Sequence, residues 1–190
     1  IQTEPTPNPA TLKFLPGRVI MEEGTVFFQS KSDCINSPFA KRLFAVEGVV
    51  SVFFGTDFIT ITKDENLDWQ VLKPMILGAI IDHYNSNEEV IIKNISKEHK
   101  KENISLSENK DEDVDIVKQI KELLDTRVRP AVAMDGGDIV FKNFKEGVVY
   151  LHMQGACSGC PSSTATLKAG IENMLKHYVP EVKEVRPVEV

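Results

Sequence analysis

Residues 94–112 constrain the fold of this chain more than any other stretch. They read Asn-Ile-Ser-Lys-Glu-His-Lys-Lys-Glu-Asn-Ile-Ser-Leu-Ser-Glu-Asn-Lys-Asp-Glu. Two isolated isoleucines and one leucine cannot offset the entropy of ordering so many polar residues. The chain is 190 residues long, so this run leaves 1–93 and 113–190, each the size of a small domain. Apolar residues make up 42% of the chain, enough for two modest cores. We expect an α+β protein, with two small domains of layered helices and strands joined by a flexible linker.

Local patterns support this division. In 1–93, Thr3-Glu4-Pro5-Thr6-Pro7-Asn8-Pro9 must be extended, because proline lacks the helical N–H and restricts the residue before it. Leu12-Lys13-Phe14 and residues 25–29 read as strands. Ser37-Pro38 reads as an N-cap and first helical position, leading a helix to about Val46. Residues 49–54 and 58–62 flank Gly55-Thr56-Asp57 as a hairpin. From Asp68 a helical period places Trp69, Leu72, Ile76, Ile80 and His83 on one face, with Pro74 expected to kink the helix or delay its start. Val90-Ile91-Ile92 is expected to close the sheet.

In 113–190, Val114, Val117, Ile120, Leu124 and Val128 recur at helical spacing, and Pro130 is expected to end that helix. Met134-Asp135-Gly136-Gly137-Asp138 reads as a turn. Strands over 139–144 and 148–153 follow, joined at Lys145-Glu146-Gly147. A second helix after Pro161 would bury Thr164, Leu167, Ile171, Met174, Leu175 and Tyr178, with Lys168, Glu172 and Lys176 as an exposed ladder. Residues 182–190 are expected to form a last strand, which Pro187 suits to an edge. The order is α-β-β-α-β.

The net charge of −6 argues against a nucleic-acid surface, which needs clustered lysine and arginine. No apolar run approaches the roughly 18 residues of a membrane span. The three cysteines, Cys34, Cys157 and Cys160, are too few and too odd for a secreted disulfide framework, so a reducing compartment is expected. The chain opens at Ile1 rather than methionine, so any targeting segment is expected to lie upstream of the sequence in hand.

Cys157-Ser158-Gly159-Cys160 carries the chemistry. Two intervening residues let both sulfurs turn toward one centre. Gly155 and Gly159 permit the backbone angles of a tight loop, and Pro161 suits a helix start. Both sulfurs should then lie just before a helix N-terminus, whose N–H groups and dipole favour thiolates by only about 0.3–1 kcal/mol, leaving metal coordination to supply most of the stabilisation. Three readings compete. The pair could hold a metal or cluster, could act as a thiol–disulfide oxidoreductase, or could simply be packed. Thioredoxin-like pairs usually carry proline between the cysteines and tryptophan before them; here Pro161 follows and Ala156 precedes. A zinc site needs four protein ligands, and His152 and His177 lack finger spacing. An iron–sulfur cluster also wants about four thiolates. One chain offers two in one place, so two copies related by a two-fold axis would complete the set.

Other residues read more simply. Cys34 is expected to be a buried hydrophobe. Asp135 and Asp138 belong to a turn rather than a cation site. His83 is expected to be a satisfied packing histidine and His177 a partner for a helix C-terminus, and His152, five residues before Cys157, is a weak candidate for supporting the cysteines. Phe27-Phe28 and Phe53-Phe54 are core aromatics. No catalytic triad pattern, phosphate loop or zinc-protease motif is present.

Two blocks resemble the Nfu family of iron–sulfur scaffold and carrier proteins. The C-terminal block resembles a NifU C-terminal domain: Leu123-Leu124-Asp125-Thr126-Arg127-Val128-Arg129-Pro130, Asp135-Gly136-Gly137-Asp138, Gly155 through Ser163, and Pro180-Glu181-Val182. The N-terminal block resembles the Nfu N-terminal domain: Thr6-Pro7-Asn8-Pro9, Leu12-Lys13-Phe14, Gly48-Val49 through Phe58-Ile59-Thr60, and Asp68-Trp69 with Leu72-Lys73-Pro74. The resemblance implies a non-enzymatic carrier. It implies a 4Fe–4S cluster bridging a homodimer through Cys157 and Cys160 of each chain. The cluster would come from an upstream assembly scaffold and pass to apo iron–sulfur proteins, including lipoate-synthesis and respiratory enzymes. The N-terminal domain would serve recognition. A bacterial cytoplasm and a mitochondrial matrix both fit. Ala133-Met134 before Asp135 departs from the acidic or polar residues common there, and the linker is longer and more basic than the family leads one to expect.

Overall fold

A computed structural model of the chain describes residues 1–93, 111–159 and 161–188, with the backbone alone at 111, 112 and 161–163. The chain divides into two compact units, residues 1–102 and 103–190. The expected linker, 94–112, lies almost wholly outside the described residues, as does Cys160.

The first unit is built on an antiparallel five-stranded sheet in the order β1-β2-β5-β4-β3. The strands are β1 Gln2–Pro5, β2 Thr11–Leu15, β3 Val26–Phe28, β4 Val49–Phe54 and β5 Ile59–Lys63. Alternation along them turns Phe14, Phe28, Val52, Phe54, Ile59 and Ile61 to one face. There they meet Phe39, Ala40 and Leu43 of α1 (Pro38–Phe44) and Leu72, Ile76 and Ile80 of α2 (Trp69–Ser86). Phe28 meets Phe54 edge-on at 5.4 Å, and Phe27 meets Phe53 at 6.3 Å. Cys34, in a short 3₁₀ segment (Lys31–Asn36), is fully buried in the same core, and burial pushes its thiol up to about 11. Ser37 caps α1 as expected: its Oγ accepts from the Ala40 N–H at 3.0 Å.

Two expectations fail here. Val90-Ile91-Ile92 is not a strand. The Ser37 hydroxyl donates to the Val90 carbonyl at 2.6 Å, and the Ile92 N–H donates to the Asn36 carbonyl at 2.8 Å, so the segment is tied to the start of α1 and does not join the sheet. Pro74 neither delays α2 nor ends it. Asp68 caps the helix through the Gln70 N–H at 2.8 Å, and the helix runs through the proline. The carbonyl that loses a donor belongs to Gln70, an exposed residue whose carbonyl water can serve.

His83 packs on the buried face as expected, but among the described residues it is not the satisfied histidine expected. Its ring is 1% exposed and stacks on Phe39 at 4.0 Å, yet neither ring nitrogen has a hydrogen-bond partner among the described residues. Burial holds its pKa below the ordinary 6.5, the Arg42 charge on α1 adds to this, and Glu88 opposes it. Tyr84 packs beside the ring at 5.7 Å. A folded-state pKa below the unfolded one means the unfolded chain binds more protons as pH falls. The stability that neutral His83 permits is therefore complete above about pH 6.5 and lost as pH drops from there toward the folded pKa, with a limiting slope of about 1.4 kcal/mol per pH unit. Denaturant melts of the first unit should weaken between pH 6.5 and 5. His83→Phe should remove that dependence; an unchanged pH profile would refute it.

The second unit carries a three-stranded sheet, β6 Gly137–Lys145, β7 Val148–Gly155 and β8 Glu184–Pro187, in the order β6-β7-β8. β6 and β7 form an antiparallel hairpin, whereas β8 runs parallel to β7. A parallel neighbour requires a crossover, and α5 (Pro161–Tyr178) supplies it. β8 lies at an edge, as Pro187 led us to expect. The core gathers Ile120 of α3 (Asp111–Leu123), Val149, Leu151 and Met153 of β7, Ile171 and Leu175 of α5, and Val185 of β8.

Pro130 does not end the helical run. The backbone widens into a π-helical turn over Leu124–Val128, and Pro130 enters the first turn of a new helix, α4 (Arg129–Met134), where no N–H is needed. Within the stripe expected on α3, Ile120, Leu124 and Val128 are buried, but Val114 is 55% exposed. Tyr178 is also exposed, and Val179 fills the buried position in its place. The Arg127 guanidinium lies over the Tyr178 ring at 4.8 Å. The ladder on α5 is partial. Lys176 pairs with Glu172 at 2.7 Å, but Lys168 reaches Glu184, and the Glu172 carboxylate accepts from the Val185 N–H at 3.1 Å. That helix face is therefore tied to β8.

Candidate functional site

Cys157 lies in the turn between β7 and α5. The last rung of the hairpin pairs Gly137 with Gly155, and the turn begins there. Gly155 and Gly159 take φ of 63° and 75°, the left-handed region that glycine enters without strain. Hydrogen bonds hold the turn. The Ala156 N–H donates to the Gly136 carbonyl and the Ser158 N–H to the Gly155 carbonyl, each at 3.1 Å. The Thr164 hydroxyl, one turn into α5, donates to the Cys157 carbonyl at 3.2 Å.

The sulfur itself points inward. Cys157 is 6% exposed and belongs to the core cluster with Met153 and Ile171. Burial pushes its thiol up to about 12, with Asp135 and Asp138 adding to the effect. The helix start was expected to favour a thiolate. Burial and the two carboxylates act in the opposite direction, toward the protonated thiol.

Spacing gave no hint of what stands behind the cysteine. Asp138, which we expected only to help form a turn, is 3% exposed. It is clamped by Arg129: Nε donates to Oδ1 at 2.8 Å and Nη2 to Oδ2 at 2.9 Å. Arg129 Nη1 also donates to Asp125 at 3.1 Å, and these bonds hold its pKa above the usual arginine range. Asp135 stays exposed in the turn, and among the described residues no group of three histidines, cysteines or carboxylates is placed to hold an ion. His152 is buried on the sheet face opposite Leu151 and Met153, with its Nδ1 3.1 Å from the Val188 carbonyl. His177 is exposed in the last turn of α5, beside Tyr178. Cys34 lies in the other unit.

Residues 1–87 match the family model described as scaffold protein Nfu/NifU N terminal, and residues 120–186 match the NifU-like domain. The chain belongs to the Nfu/NifU scaffold family. Its Cys157 turn and its Arg129–Asp138 clamp both fall within the NifU-like region. The chain is 49% identical to NifU-like protein 4, mitochondrial, of Arabidopsis thaliana, over 97% of this chain and 64% of that protein. It is 48% identical to the human NFU1 iron-sulfur cluster scaffold homolog, mitochondrial, over 99% of this chain and 71% of that protein. The chain thus spans about two thirds of the length of the curated relatives it matches. A solution NMR structure of a NifU-like protein from Saccharomyces cerevisiae aligns with 48% of this chain and 83% of its own, at 29% identity and a TM-score of 0.44.

Proposed function

We propose that this member of the Nfu/NifU family is a non-catalytic iron–sulfur carrier that holds a 4Fe–4S cluster through Cys157 and Cys160 of two chains and passes it to apo proteins. The observation that carries the reading is the position of Cys157, in a glycine-flanked turn between β7 and α5 inside the NifU-like region. Cys160 enters through its spacing alone. A cluster is held by about four thiolates, and each chain contributes two, so a symmetric pair completes the site. A cargo shared between two chains can be released when they part, which suits delivery better than permanent electron transfer. On binding, each ligating thiol gives up its proton to solvent and its sulfur joins an iron. Relatives named as iron-sulfur cluster scaffolds support the cargo, and those named mitochondrial support the matrix as the compartment.

The 1–93 domain is assigned recognition of upstream scaffold and client, since its single cysteine is buried in the core. Residues 94–112 would tether it to the 113–190 domain. Anaerobic reconstitution with iron and sulfide should give about four iron and four sulfide per pair of chains, together with a doubling of native mass. A colourless, metal-free preparation would refute the carrier. A loaded monomer would refute the shared site. Dithiol exchange without iron uptake would point to an oxidoreductase.

A further inference from the structure

We propose that Arg129 is a positioning residue for the Cys157 thiol, acting through the Asp138 carboxylate and the backbone of Gly136 and Gly137. The proposal rests on the reading of Cys157 as a cluster ligand. Arg129 opens α4, and Asp138 is the second residue of β6. Two parallel bonds at 2.8 and 2.9 Å fix the planar guanidinium against the carboxylate, a geometry lysine cannot reproduce. The same carboxylate accepts from the Ile139 N–H at 2.8 Å, and Asp125 holds the guanidinium from the preceding turn. Both ends of the short turn at Asp135 and Gly136 are therefore fixed.

That turn forms the wall of the cysteine. The Gly136 carbonyl accepts from Ala156, the residue before Cys157, at 3.1 Å. A β-carbon on Gly137 would stand 2.6 Å from Cys157 Sγ and 3.1 Å from its backbone nitrogen, so the sulfur rests directly against bare backbone. A displacement of a few tenths of an ångström at Gly137 would either press on the sulfur or leave it a gap. The clamp sets that displacement. Stability alone gives little reason for the pair, because the Arg129 side chain is 38% exposed and a part-exposed ion pair is worth little. Its bidentate geometry does define a position, and the position it defines is that of the strand start behind the sulfur.

The test uses the full chain carrying Arg129→Gln together with Asp138→Asn, which removes both charges of the clamp and leaves no buried carboxylate unpaired, since Asp125 is exposed. Apo protein is alkylated with iodoacetamide and each cysteine is read by peptide mass mapping, while amide exchange is followed in α5. Cys157 should alkylate about ten-fold faster than in the unaltered chain, through local opening, with α5 exchange unchanged. Iron retained after anaerobic reconstitution should fall several-fold, and Arg129→Lys alone should lie between. An unchanged Cys157 rate overturns the proposal. So does a rise in α5 exchange matching the thiol rate, which would mean the pair merely holds the unit together. If the unaltered chain takes up no iron, the carrier reading fails while the alkylation result still stands or falls by itself.

Discussion

Cys157→Ser should give a folded chain that takes up no iron. The sulfur is one of the few groups in the second unit that is both buried and chemically soft. Replacing it with a hydroxyl changes the volume little but places a polar group in an apolar cluster, at a cost of about 1–3 kcal/mol. A serine hydroxyl remains protonated where a thiol can ionise, and it is a hard donor where cluster iron prefers thiolate. In a shared site the substitution removes one ligand from each chain, leaving about half of the four a cluster needs. Iron and acid-labile sulfide should fall to background while the far-UV circular dichroism at 25 °C stays that of the unaltered chain and the melting point falls by about 4–8 °C per kcal/mol lost. Cys157→Ala separates the loss of a ligand from the burial of a hydroxyl and should also be iron-free. Cys34→Ala should keep its iron, because that thiol is sealed in the other unit. Full iron occupancy in Cys157→Ser would remove this residue from the site.

Gly137→Ala is the second large effect expected, and it comes from a single methyl group. The added carbon would meet Cys157 Sγ at 2.6 Å, the Gln154 carbonyl oxygen at 2.8 Å and the Cys157 nitrogen at 3.1 Å. Two of these three atoms are backbone, held by the hairpin ladder and by the turn hydrogen bonds, so only the sulfur side can yield. Overpacking of this kind typically costs about 1–3 kcal/mol. Because the turn gives way before the ladder, part of that cost should appear as a displaced Cys157. Denaturant midpoints should fall, and iron occupancy should fall by more than the loss of folded protein accounts for. A variant that binds iron in proportion to its folded fraction would show that the contact matters for stability alone. Gly170 offers a comparison: a β-carbon there meets nothing within 4 Å, so Gly170→Ala on α5 should be neutral or slightly stabilising.

The legibility of these elements differs for physical reasons. The cap at Ser37, the hairpin around Gly55 and the edge position of β8 follow from residues within a few positions of one another, and the structure has all three. The same locality explains the failures. Val90-Ile91-Ile92 has the composition of a strand, but its hydrogen bonds go to Ser37 and Asn36, more than fifty residues away. Pro130 looked like a terminator because a helix was assumed to keep one period; a π-helical turn changes the period and lets the proline start afresh. His83 lies on the buried face that the helical period gives it, but that its nitrogens lack partners among the described residues depends on which side chains surround it.

Sequence alone was enough for the division into two α+β units and, through the resemblance of two motif blocks, for the family, because composition, period and motif are properties of neighbours along the chain. Only the tertiary fold revealed that Cys157 is turned into a core, that burial raises its pKa, and that Arg129 and Asp138 hold the wall it rests on. Burial and a bidentate ion pair depend on where segments distant in sequence come to lie, and no local pattern encodes that.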